Sequence, residues 1–309
     1  MTNHPLVIIL GATASGKTRL AIELAKKLQT EIISADSRQV FKGMDIGTGK
    51  DLEEFYTANI PFHLIDIKAA GQHYNVNSFK EDFYAAFLSI TNKRKLPILC
   101  GGTGMYIHSL LQNSELTAVP TNEEFRRSVQ DLTKDQLVSR LENYPAALTH
   151  HVDFSSSKRM IRAIEVAEYL QNNTLANQFY PILNPLVIGL VDELETRRSK
   201  ISNRLLRRLD QGLIEEVEQL LKNGVPVEML TFYGLEYKFV ASYLMKEMDY
   251  QTLKEKLTIA ICQFAKRQMT FFRKMEKDGV KIKWLAADKE LFSLTEEALQ
   301  YISSNFQLK

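Results

Sequence analysis

Short unbroken apolar runs alternate with stretches of helical period over the first hundred residues of the chain. Such runs are typical of strands that are buried on both faces of a parallel sheet. A helical stripe (Leu20, Leu24 and Leu28) follows the first run, and this alternation predicts a parallel sheet covered by helices on both faces. The strands predicted in this region are 6–10, 31–35, 63–67 and 96–100.

The longest helical stretch of this region runs from Asn77 to Arg94. Ser78 and Glu81 have the spacing of a capping box, which predicts where the helix begins. Its apolar positions recur every three or four residues, as on one face of a helix. They are Phe79, Phe83, Ala86, Phe87 and Ile90.

After residue 110 the strand pattern gives way to helix. We predict several short helices between Thr121 and Leu170, the first beginning at a capping box formed by Thr121 and Glu124. Further on, strands are predicted at 186–191 and 280–285, long helices near 193–221 and 250–276, and a closing helix. The chain is thus predicted to have an α/β core and a helical insertion domain. Their bounds are 1–114 and 183–309 for the core, and 115–182 for the insertion.

Composition places the chain among ordinary globular proteins: of 309 residues, 45% are hydrophobic and 25% charged, with a net charge of +2. Two cysteines, Cys100 and Cys262, are too few for a disulfide scaffold or a four-cysteine zinc site. The N-terminal run lacks the features of a signal peptide, and no run reaches the roughly 20 apolar residues of a membrane span. We therefore expect a cytoplasmic protein with no membrane contact.

The basic residues are unevenly distributed. Residues 196–208 hold six basic and no acidic residues, and residues 266–283 hold seven basic and two acidic ones. Basic stretches in a nearly neutral chain indicate either an anionic partner or a solvated helix face, and the pattern alone favours neither.

The segment 11–18, GATASGKT, fits the phosphate-binding pattern G-x-x-x-x-G-K-[ST] between a predicted strand and a predicted helix. Backbone N–H groups would surround an anion, Lys17 would reach the outer phosphate, and Thr18 would hold magnesium. The predicted fold is therefore a P-loop NTPase-like parallel sheet. The motif leaves open whether the phosphates belong to a nucleoside triphosphate or to another pyrophosphate. The expected phosphate-binding residues are Gly11, Thr13, Ala14, Ser15, Gly16, Lys17 and Thr18.

Three further polar residues stand at positions suited to a ligand. Asp36 follows a predicted strand at the edge where open parallel sheets bind ligands, and is either a base or metal partner or the N-cap of a following helix. Thr103, in a glycine turn after another strand, has the same ambiguity. Arg204 has the planar fork that holds phosphates, or is one exposed arginine among several.

Four segments after the phosphate loop together resemble the bacterial tRNA dimethylallyltransferases, also called isopentenyl-diphosphate:tRNA transferases. They come in the order found in that family, and the D-S-R-Q and A-K-R-Q elements are more specific than the phosphate loop. The segments are 36–48 (DSRQVFKGMDIGT), 101–106 (GGTGMY), 158–165 (KRMIRAIE) and 263–270 (QFAKRQMT).

This resemblance implies transfer of a dimethylallyl group from dimethylallyl diphosphate to the N6 amine of adenine 37 in tRNA. The phosphate loop would then hold the leaving pyrophosphate rather than ATP. By similarity, Asp36 takes a proton from N6, while Lys17, Thr18 with Mg²⁺, Thr103 and Arg204 surround the donor diphosphate. Arg204 is matched through the segment 204–217, whose Gly-Leu-x-x-Glu-Val ending fixes the register.

The resemblance also implies that a monomer binds the anticodon stem-loop of tRNA. Mg²⁺ is the expected cofactor, and both Asp36 and Asp66 are candidates to support it besides Thr18. The residues expected to contact tRNA are Asp36, Ser37, Arg38, Gln39, Thr103, Arg126, Lys158, Arg159, Met160, Ile161, Arg162, Lys266, Arg267, Gln268 and Arg273.

Some positions depart from the family's pattern. Phe41 stands where tyrosine is common, and Ala12 replaces the usual proline of the loop. The stretch 231–240 (TFYGLEYKFV) matches poorly, so no tRNA contact is carried over to it. The zinc finger of eukaryotic relatives has no counterpart, since neither cysteine lies in a suitable cluster.

Three alternatives stay open. A small-molecule or nucleotide kinase would bind ATP in the loop, although the D-S-R-Q and A-K-R-Q elements argue against it. An adenylate prenyltransferase would use a free nucleotide as acceptor, whereas the basic helices and the insertion favour tRNA. An RNA-binding adaptor would keep a vestigial loop, which fits poorly because Lys17, Thr18 and Asp36 are all present.

Overall fold

The computed structural model describes residues 4–112, 115–149, 152–175 and 180–306. The chain divides into two compact units. The first unit consists of Met1–Gln112 and Pro181–Lys309, and the second of Asn113–Tyr180.

A six-stranded sheet forms the centre of the first unit. Its strands are β1 (His4–Gly11), β2 (Ile32–Ser34), β3 (Phe62–His63), β4 (Ile98–Gly101), β5 (Leu183–Val191) and β6 (Ile282–Ala286). The strand order is β3-β2-β4-β1-β5-β6, and every neighbouring pair is parallel. The predicted parallel sheet is confirmed, and β1, which precedes the phosphate loop, lies between two neighbours inside it.

Helices surround the sheet and make up the second unit. In chain order they are α1 (Lys17–Leu28), α2 (Leu52–Thr57), α3 (Val76–Asn92), α4 (Gly104–Leu111), α5 (Glu123–Val129), α6 (Lys134–Leu141), α7 (Ala146–Thr149), α8 (Ser157–Asn172), α9 (Leu194–Asp210), α10 (Leu213–Lys222), α11 (Val227–Tyr233), α12 (Leu235–Leu244), α13 (Tyr250–Lys277) and α14 (Leu291–Asn305), with a 3₁₀ turn at Glu115–Ala118.

The sheet separates two layers of helix because successive side chains of a strand point to opposite faces. Val7 and Ile9 of β1 share a buried core with Leu24 of α1 and Ala298 of α14. Outside that core, α3 contacts β2 and α4, and α13 contacts α4 and α9. The predicted apolar stripe of α3 is buried throughout.

Each of the six predicted strands has a counterpart, and β3 is the least like its prediction. It was expected at 63–67 but ends at His63, because Leu64 and Asp66 adopt positive φ angles of 63° and 57°. A strand cannot continue through residues in the left-handed region.

Both predicted capping boxes at helix starts are wrong. Asn75 caps α3, where its side-chain oxygen accepts the N–H of Ser78 at 3.0 Å. Asn122, rather than Thr121, caps α5 by accepting the N–H of Phe125 at 3.0 Å. Asparagine is as good an N-cap as serine or threonine, so the spacing of a capping box does not decide between neighbouring candidates.

The helix predicted near 193–221 is in fact two helices, α9 and α10. They are separated at Gly212, whose φ of 101° ends one helix and begins the next. The apolar pattern did not predict α2, α11 or α12, which have only 6, 7 and 10 residues.

The second unit has a small apolar core of its own, centred on α5, α6 and α8. The buried carboxylate of Glu165 joins these helices. It accepts the N–H of Asn122 at 2.6 Å and pairs with Arg126 at 3.0 Å and Arg162 at 2.5 Å. Burial alone would raise the pKa of Glu165, but these partners hold it below its usual range.

Glu31, just before β2, is a second buried carboxylate with several partners. Its side chain is 2% exposed and contacts His63 at 2.9 Å, Lys93 at 3.0 Å and Lys95 at 2.9 Å. Burial raises its pKa, and these partners more than reverse that effect and lower it to about 2.

Replacing Glu31 with Gln is expected to lower the free energy of unfolding at pH 7 by about 1–3 kcal/mol, since bonds to a charged group are lost. The folded-state pKa lies below the ordinary value of 4.5, so this stabilisation is present above that pH and is lost as the pH falls toward 2. Urea unfolding at pH 7, 5 and 3 measures the difference. Glu23→Gln, which removes one exposed pair with Lys26, is the control, and a difference that does not shrink with falling pH would contradict the prediction.

Among the residues that the structure describes, no helix is both long enough and apolar enough to cross a membrane.

Candidate active site

The loop between β1 and α1 has the local geometry of an anion-binding site. Ala14 and Gly16 are left-handed, with φ angles of 63° and 82°, and Gly16 adopts this conformation without steric penalty. The N–H groups of Lys17 and Thr18, at the start of α1, have no partner within the helix. Such groups, together with the helix dipole, attract phosphate.

Lys17 is the cation of this loop. Its side chain is half-buried and its Nζ lies 3.5 Å from the carbonyl oxygen of Ala12. Burial lowers the pKa of Lys17, and the nearby groups of Cys100, Asp36 and Asp51 only partly oppose this. A diphosphate bound beside the ammonium would reverse the shift, because an anion favours the charged form.

Asp36 directly follows β2 and is held by a local hydrogen bond. Its Oδ1 accepts the N–H of Arg38 at 3.0 Å. The residues that follow form turns, so the alternative interpretation of Asp36 as the N-cap of a helix is wrong. Within the described part of the chain no hydrogen bond reaches Oδ2, which leaves one carboxylate oxygen for a substrate.

Thr103 joins the Asp36 segment to the end of β4. Its hydroxyl oxygen accepts the N–H of Ser37 at 3.0 Å, and its own N–H donates to the carbonyl of Ala35 at 3.1 Å. The approach is so close that a Cβ on Gly101 would lie 2.2 Å from that carbonyl oxygen. Thr103 begins α4 without a side-chain capping bond, so its hydroxyl serves the Asp36 segment and not the helix.

Gln268 of α13 ties the phosphate loop to the Thr103 turn. Its Oε1 accepts the N–H of Thr13 at 2.9 Å, and its Nε2 donates to the carbonyl of Gly102 at 2.9 Å. Gln268 is buried, with 9% of its surface exposed. One amide therefore sets the distance between the two loops that carry Lys17 and Thr103.

Two of the expected phosphate-binding residues use their backbone N–H groups inside the protein. Thr13 donates to Gln268, and Ser15 donates to the carbonyl of Ala12 at 3.3 Å. A contact of either amide with phosphate would therefore replace a bond that the amide already makes, and the prediction for these two residues stays a prediction. The Ser15 hydroxyl is buried and has no partner among the described residues.

Arg204 of α9 is half-buried and faces a carboxylate. Its Nη2 donates to Asp51 Oδ2 at 2.9 Å and lies 3.4 Å from the carbonyl oxygen of Gly49. The positive charge of Arg204 also contributes to the lowered pKa of Lys17. Arg204 is therefore not merely one exposed arginine of a basic helix, and its partner Asp51 was not predicted.

The loop 45–51, which carries Asp51, is fixed by Glu216 of α10. Glu216 Oε2 accepts the N–H groups of Asp45 and Ile46, both at 2.7 Å, and Oε1 accepts the N–H of Gly47 at 3.0 Å. Tyr237 donates its hydroxyl to the same carboxylate at 2.8 Å. The Gly-Leu-x-x-Glu-Val ending that fixes the register of Arg204 contains this glutamate, so a sequence signal for it existed.

Lys50 holds the same loop from within. It is 1% exposed, donates to the carbonyl of Phe41 at 2.7 Å and to Asp45 Oδ1 at 2.5 Å, and pairs with Asp66. Asp66 is thus engaged by a buried ammonium, which leaves Asp36 as the better-placed candidate to support a metal beside Thr18.

The possible metal ligands near the phosphate loop suit magnesium, which needs few protein ligands, better than a metal that is bound entirely by protein groups. The described residues include no cluster of three or more His, Cys, Asp or Glu that could hold a metal ion. Magnesium keeps several waters and takes substrate phosphates with only one or two protein ligands. Thr18, as a single protein ligand, is compatible with that mode.

Residues 39–275 match the family model described as IPP transferase. The chain belongs to the IPP transferase family. The matched region begins after the phosphate loop and includes Thr103, Arg204, Glu216 and Gln268.

Relatives and a solved structure agree with this assignment over nearly the whole chain. tRNA dimethylallyltransferase 2 of Porphyromonas gingivalis is 49% identical over 284 residues, covering 91% of this chain and 94% of the relative. tRNA dimethylallyltransferase 2 of Bacteroides fragilis is 45% identical over 310 residues, covering 99% of both. The tRNA isopentenylpyrophosphate transferase of Staphylococcus epidermidis is 32% identical with a TM-score of 0.71, covering 98% of this chain and all 100% of that one. The resemblance and the P-loop-like fold are confirmed.

The residues predicted to contact tRNA in the second unit of this IPP transferase differ widely in exposure. Lys158 and Arg159 are exposed, whereas Met160 is fully buried in the apolar core of the unit and Ile161 packs against it. The side chain of Met160 therefore cannot contact tRNA as predicted, because it fills the core.

Two arginines of the second unit serve its structure. The guanidinium of Arg126 pairs with Glu165. The guanidinium of Arg162 pairs with Glu165 too, and donates to the carbonyl of Val119 at 2.7 Å. Both are half-buried, so a contact with tRNA would have to share groups that already have partners.

In the first unit, Lys266, Arg267 and Arg273 are exposed on α13. Gln268 is buried and uses both ends of its amide, so it is a positioning residue rather than the predicted tRNA contact. Gln39 is engaged too, since it accepts from Ser34 at 2.8 Å and donates to the carbonyl of Gly49 at 3.0 Å. Its amide keeps one N–H group and one oxygen lone pair without a partner among the described residues, so its contact with tRNA stays a prediction.

Gln268→Ala is expected to reduce kcat/KM for the prenyl donor by about 10- to 100-fold, since misplacing catalytic groups by about 1 Å has effects of that size. Gln268→Glu keeps an acceptor for Thr13 but loses the donor to Gly102, so an intermediate loss is expected. Steady-state kinetics with varied donor measure both. Gln263→Ala, an exposed glutamine on the same helix, is the control, and wild-type kinetics for Gln268→Ala would remove its positioning role.

Proposed function

We propose that this protein transfers the dimethylallyl group of dimethylallyl diphosphate to N6 of adenine 37 in tRNA and releases pyrophosphate. The observation that carries the proposal is that hydrogen bonds connect the phosphate-binding loop to the segment of a carboxylate. Gln268 bonds to both Thr13 and Gly102, and Thr103 bonds to Ser37, the residue after Asp36. Relatives 45% and 49% identical over most of the chain bear the name tRNA dimethylallyltransferase.

The cations of the site are suited to the leaving group. Breaking the allylic C–O bond of the donor places negative charge on pyrophosphate, and fixed positive groups lower that barrier most. Lys17, the N–H groups at the start of α1 and the fork of Arg204 are groups of this kind. Asp51 balances the charge of Arg204.

Asp36 would supply the base. The N6 amine of adenine is a weak nucleophile because its lone pair is shared with the ring. As the new N–C bond forms and the C–O bond breaks, the N6 proton passes to the free Oδ2 of Asp36, which typically contributes about 10²–10⁴-fold in rate. Its Oδ1 stays bonded to the N–H of Arg38, which keeps the carboxylate oriented.

Thr18 would hold magnesium, with substrate phosphate oxygens and water as the other ligands. The ion supplies charge that neutralises the oxygens of a diphosphate. Thr18 is half-buried at the second position of α1, next to Lys17.

The exposed basic side chains of α8 and α13 support a substrate larger than a nucleotide. Lys158 and Arg159 on one unit and Lys266, Arg267 and Arg273 on the other are exposed and able to meet RNA phosphates. Binding energy from such remote contacts orients the reacting base and raises turnover as well as affinity.

The decisive experiment offers dimethylallyl diphosphate with an unmodified anticodon stem-loop, with AMP or with ATP, and detects prenyl transfer by mass spectrometry. The stem-loop is expected to react efficiently and the free nucleotides hardly at all. A stem-loop with guanine in place of the target adenine is the control. Efficient reaction of AMP or ATP would assign the protein to the adenylate prenyltransferases, and phosphoryl transfer from ATP would assign it to the kinases.

A further inference from the structure

An exposed aromatic ring stands beside the Asp36 segment and has no role in the reaction described above. Phe232 of α11 is 41% exposed. The guanidinium carbon of Arg38 lies 4.9 Å from the centroid of its ring. The ring of His73 meets it edge to face, at 5.4 Å between centroids and an interplanar angle of 73°.

The ring of Phe232 is held in a fixed position because the next residue, Tyr233, is buried in the core. Tyr233 is 1% exposed, and its hydroxyl accepts the N–H of Gly71 at 2.5 Å and donates to the carbonyl of Gln72 at 3.0 Å. The ring of Tyr233 also packs on Phe41, at 4.5 Å between centroids. The segment that carries His73 and the helix that carries Phe232 are therefore held together before any ligand binds.

Arg38 connects this ring to the carboxylate. Its N–H donates to Asp36, whereas its half-buried guanidinium forms no hydrogen bond or ion pair within the residues that the structure describes. The carboxylates of Asp36 and Glu236 act on this cation from a distance without pairing with it, so its N–H groups stay available for an anion such as a phosphate. The guanidinium of Arg38 and the exposed ring of Phe232 thus lie side by side, and Arg38 is two positions along the chain from the proposed base, Asp36.

We propose that Phe232, with Arg38 and His73, forms a stacking platform for one unpaired base of the anticodon loop, next to the adenine that is modified. The platform rests on the proposed function. When the target base leaves its stack, the face of the neighbouring base becomes exposed, and an aromatic ring beside the site replaces the lost stacking. Arg38 would meet the phosphate that links the two nucleotides.

RNA is favoured over a protein or lipid partner by the chemistry of the platform. It combines one exposed ring with a cation and an imidazole, and it lacks the extended apolar area of a protein-docking patch. Bases stack on aromatic side chains largely without regard to sequence. The platform is therefore expected to strengthen binding of the loop rather than to select one neighbouring base.

The test uses an anticodon stem-loop with 2-aminopurine next to the target adenine. Binding to the wild-type protein is expected to quench its fluorescence. Phe232→Ala should abolish most of the quenching and raise Kd by about 5- to 150-fold, the range for one base stacked on an aromatic side chain. KM for dimethylallyl diphosphate should not change, because the ring does not touch the donor site.

Two further variants keep the test decisive. Phe232→Leu preserves apolar bulk for folding but lacks the aromatic face, so it should weaken binding as Phe232→Ala does, while Phe232→Tyr should bind as the wild type does. Phe292→Ala on α14, which removes another exposed ring (73% exposed), is the matched control and should change nothing. Wild-type Kd and quenching for Phe232→Leu would overturn the platform. Failure of the wild-type protein to prenylate the stem-loop would instead contradict the proposed function.

Discussion

Asp36→Asn is expected to lower the single-turnover rate of prenyl transfer by about 10²–10⁴-fold, with a much smaller change in tRNA affinity. Asparagine retains an oxygen that can accept the N–H of Arg38, so the turn after β2 should keep its shape. The amide nitrogen that replaces Oδ2 cannot take a proton, and the effect should therefore fall on chemistry rather than on binding.

Rapid mixing of the protein, saturated with stem-loop, with dimethylallyl diphosphate measures that rate directly. Asp288→Asn, an exposed aspartate in the turn after β6, is the control for the loss of one negative charge. An Asp36→Asn protein that prenylates tRNA at the wild-type rate would leave Asp36 with a structural role only, as the residue that closes the turn to Arg38.

Those parts of the site that depend on neighbouring residues in the chain could be predicted from sequence. The phosphate loop is one continuous segment between a buried strand and a helix, so its position follows from the motif and its flanks. Asp36 and Thr103 each follow a strand, and β2 and β4 are neighbours in the sheet, so both residues were expected at one edge. The structure joins them through Ser37.

Contacts between distant parts of the chain could not be predicted in the same way. Gln268 contacts Thr13 across 255 positions of sequence, and Arg204 contacts Asp51 across 153. No periodicity specifies such pairs, since they depend on how α9 and α13 pack. Gln268 looked like a surface contact within a basic segment, whereas packing buries it between two loops.

The prediction that Met160 contacts tRNA was wrong because the resemblance was applied to the whole segment 158–165. The helical period divides that segment into a buried face and an exposed face. On α8, Met160, Ala163, Ile164 and Ala167 lie on the buried face, while Lys158 and Arg159 are exposed. Spacings of three and four residues mark that buried face in the sequence itself. Applied to the segment 158–165, the same rule would have removed Met160 from the predicted tRNA contacts.

Arg204→Ala is expected to reduce kcat by about 10²–10³-fold, the loss typical of removing one group that stabilises charge in a transition state. Its guanidinium is half-buried beside Asp51 and acts on Lys17, so no exposed side chain of α9 can replace it. Arg204→Lys keeps the charge without the planar fork and should recover only part of the activity. tRNA affinity should stay near that of the wild type, because Arg204 serves the donor.

Asp51 allows the two roles of Arg204 to be separated. Asp51→Asn removes the partner that orients Arg204 but keeps the cation, so a loss smaller than that of Arg204→Ala is expected. Arg207→Ala, an exposed arginine three positions along the same helix, controls for a change in net charge. The measurement is kcat and KM for dimethylallyl diphosphate at saturating stem-loop. Equal kcat values for Arg204→Ala and Arg207→Ala would show that Arg204 does not stabilise the leaving pyrophosphate, and its pair with Asp51 would then be a structural contact between α9 and the loop 45–51.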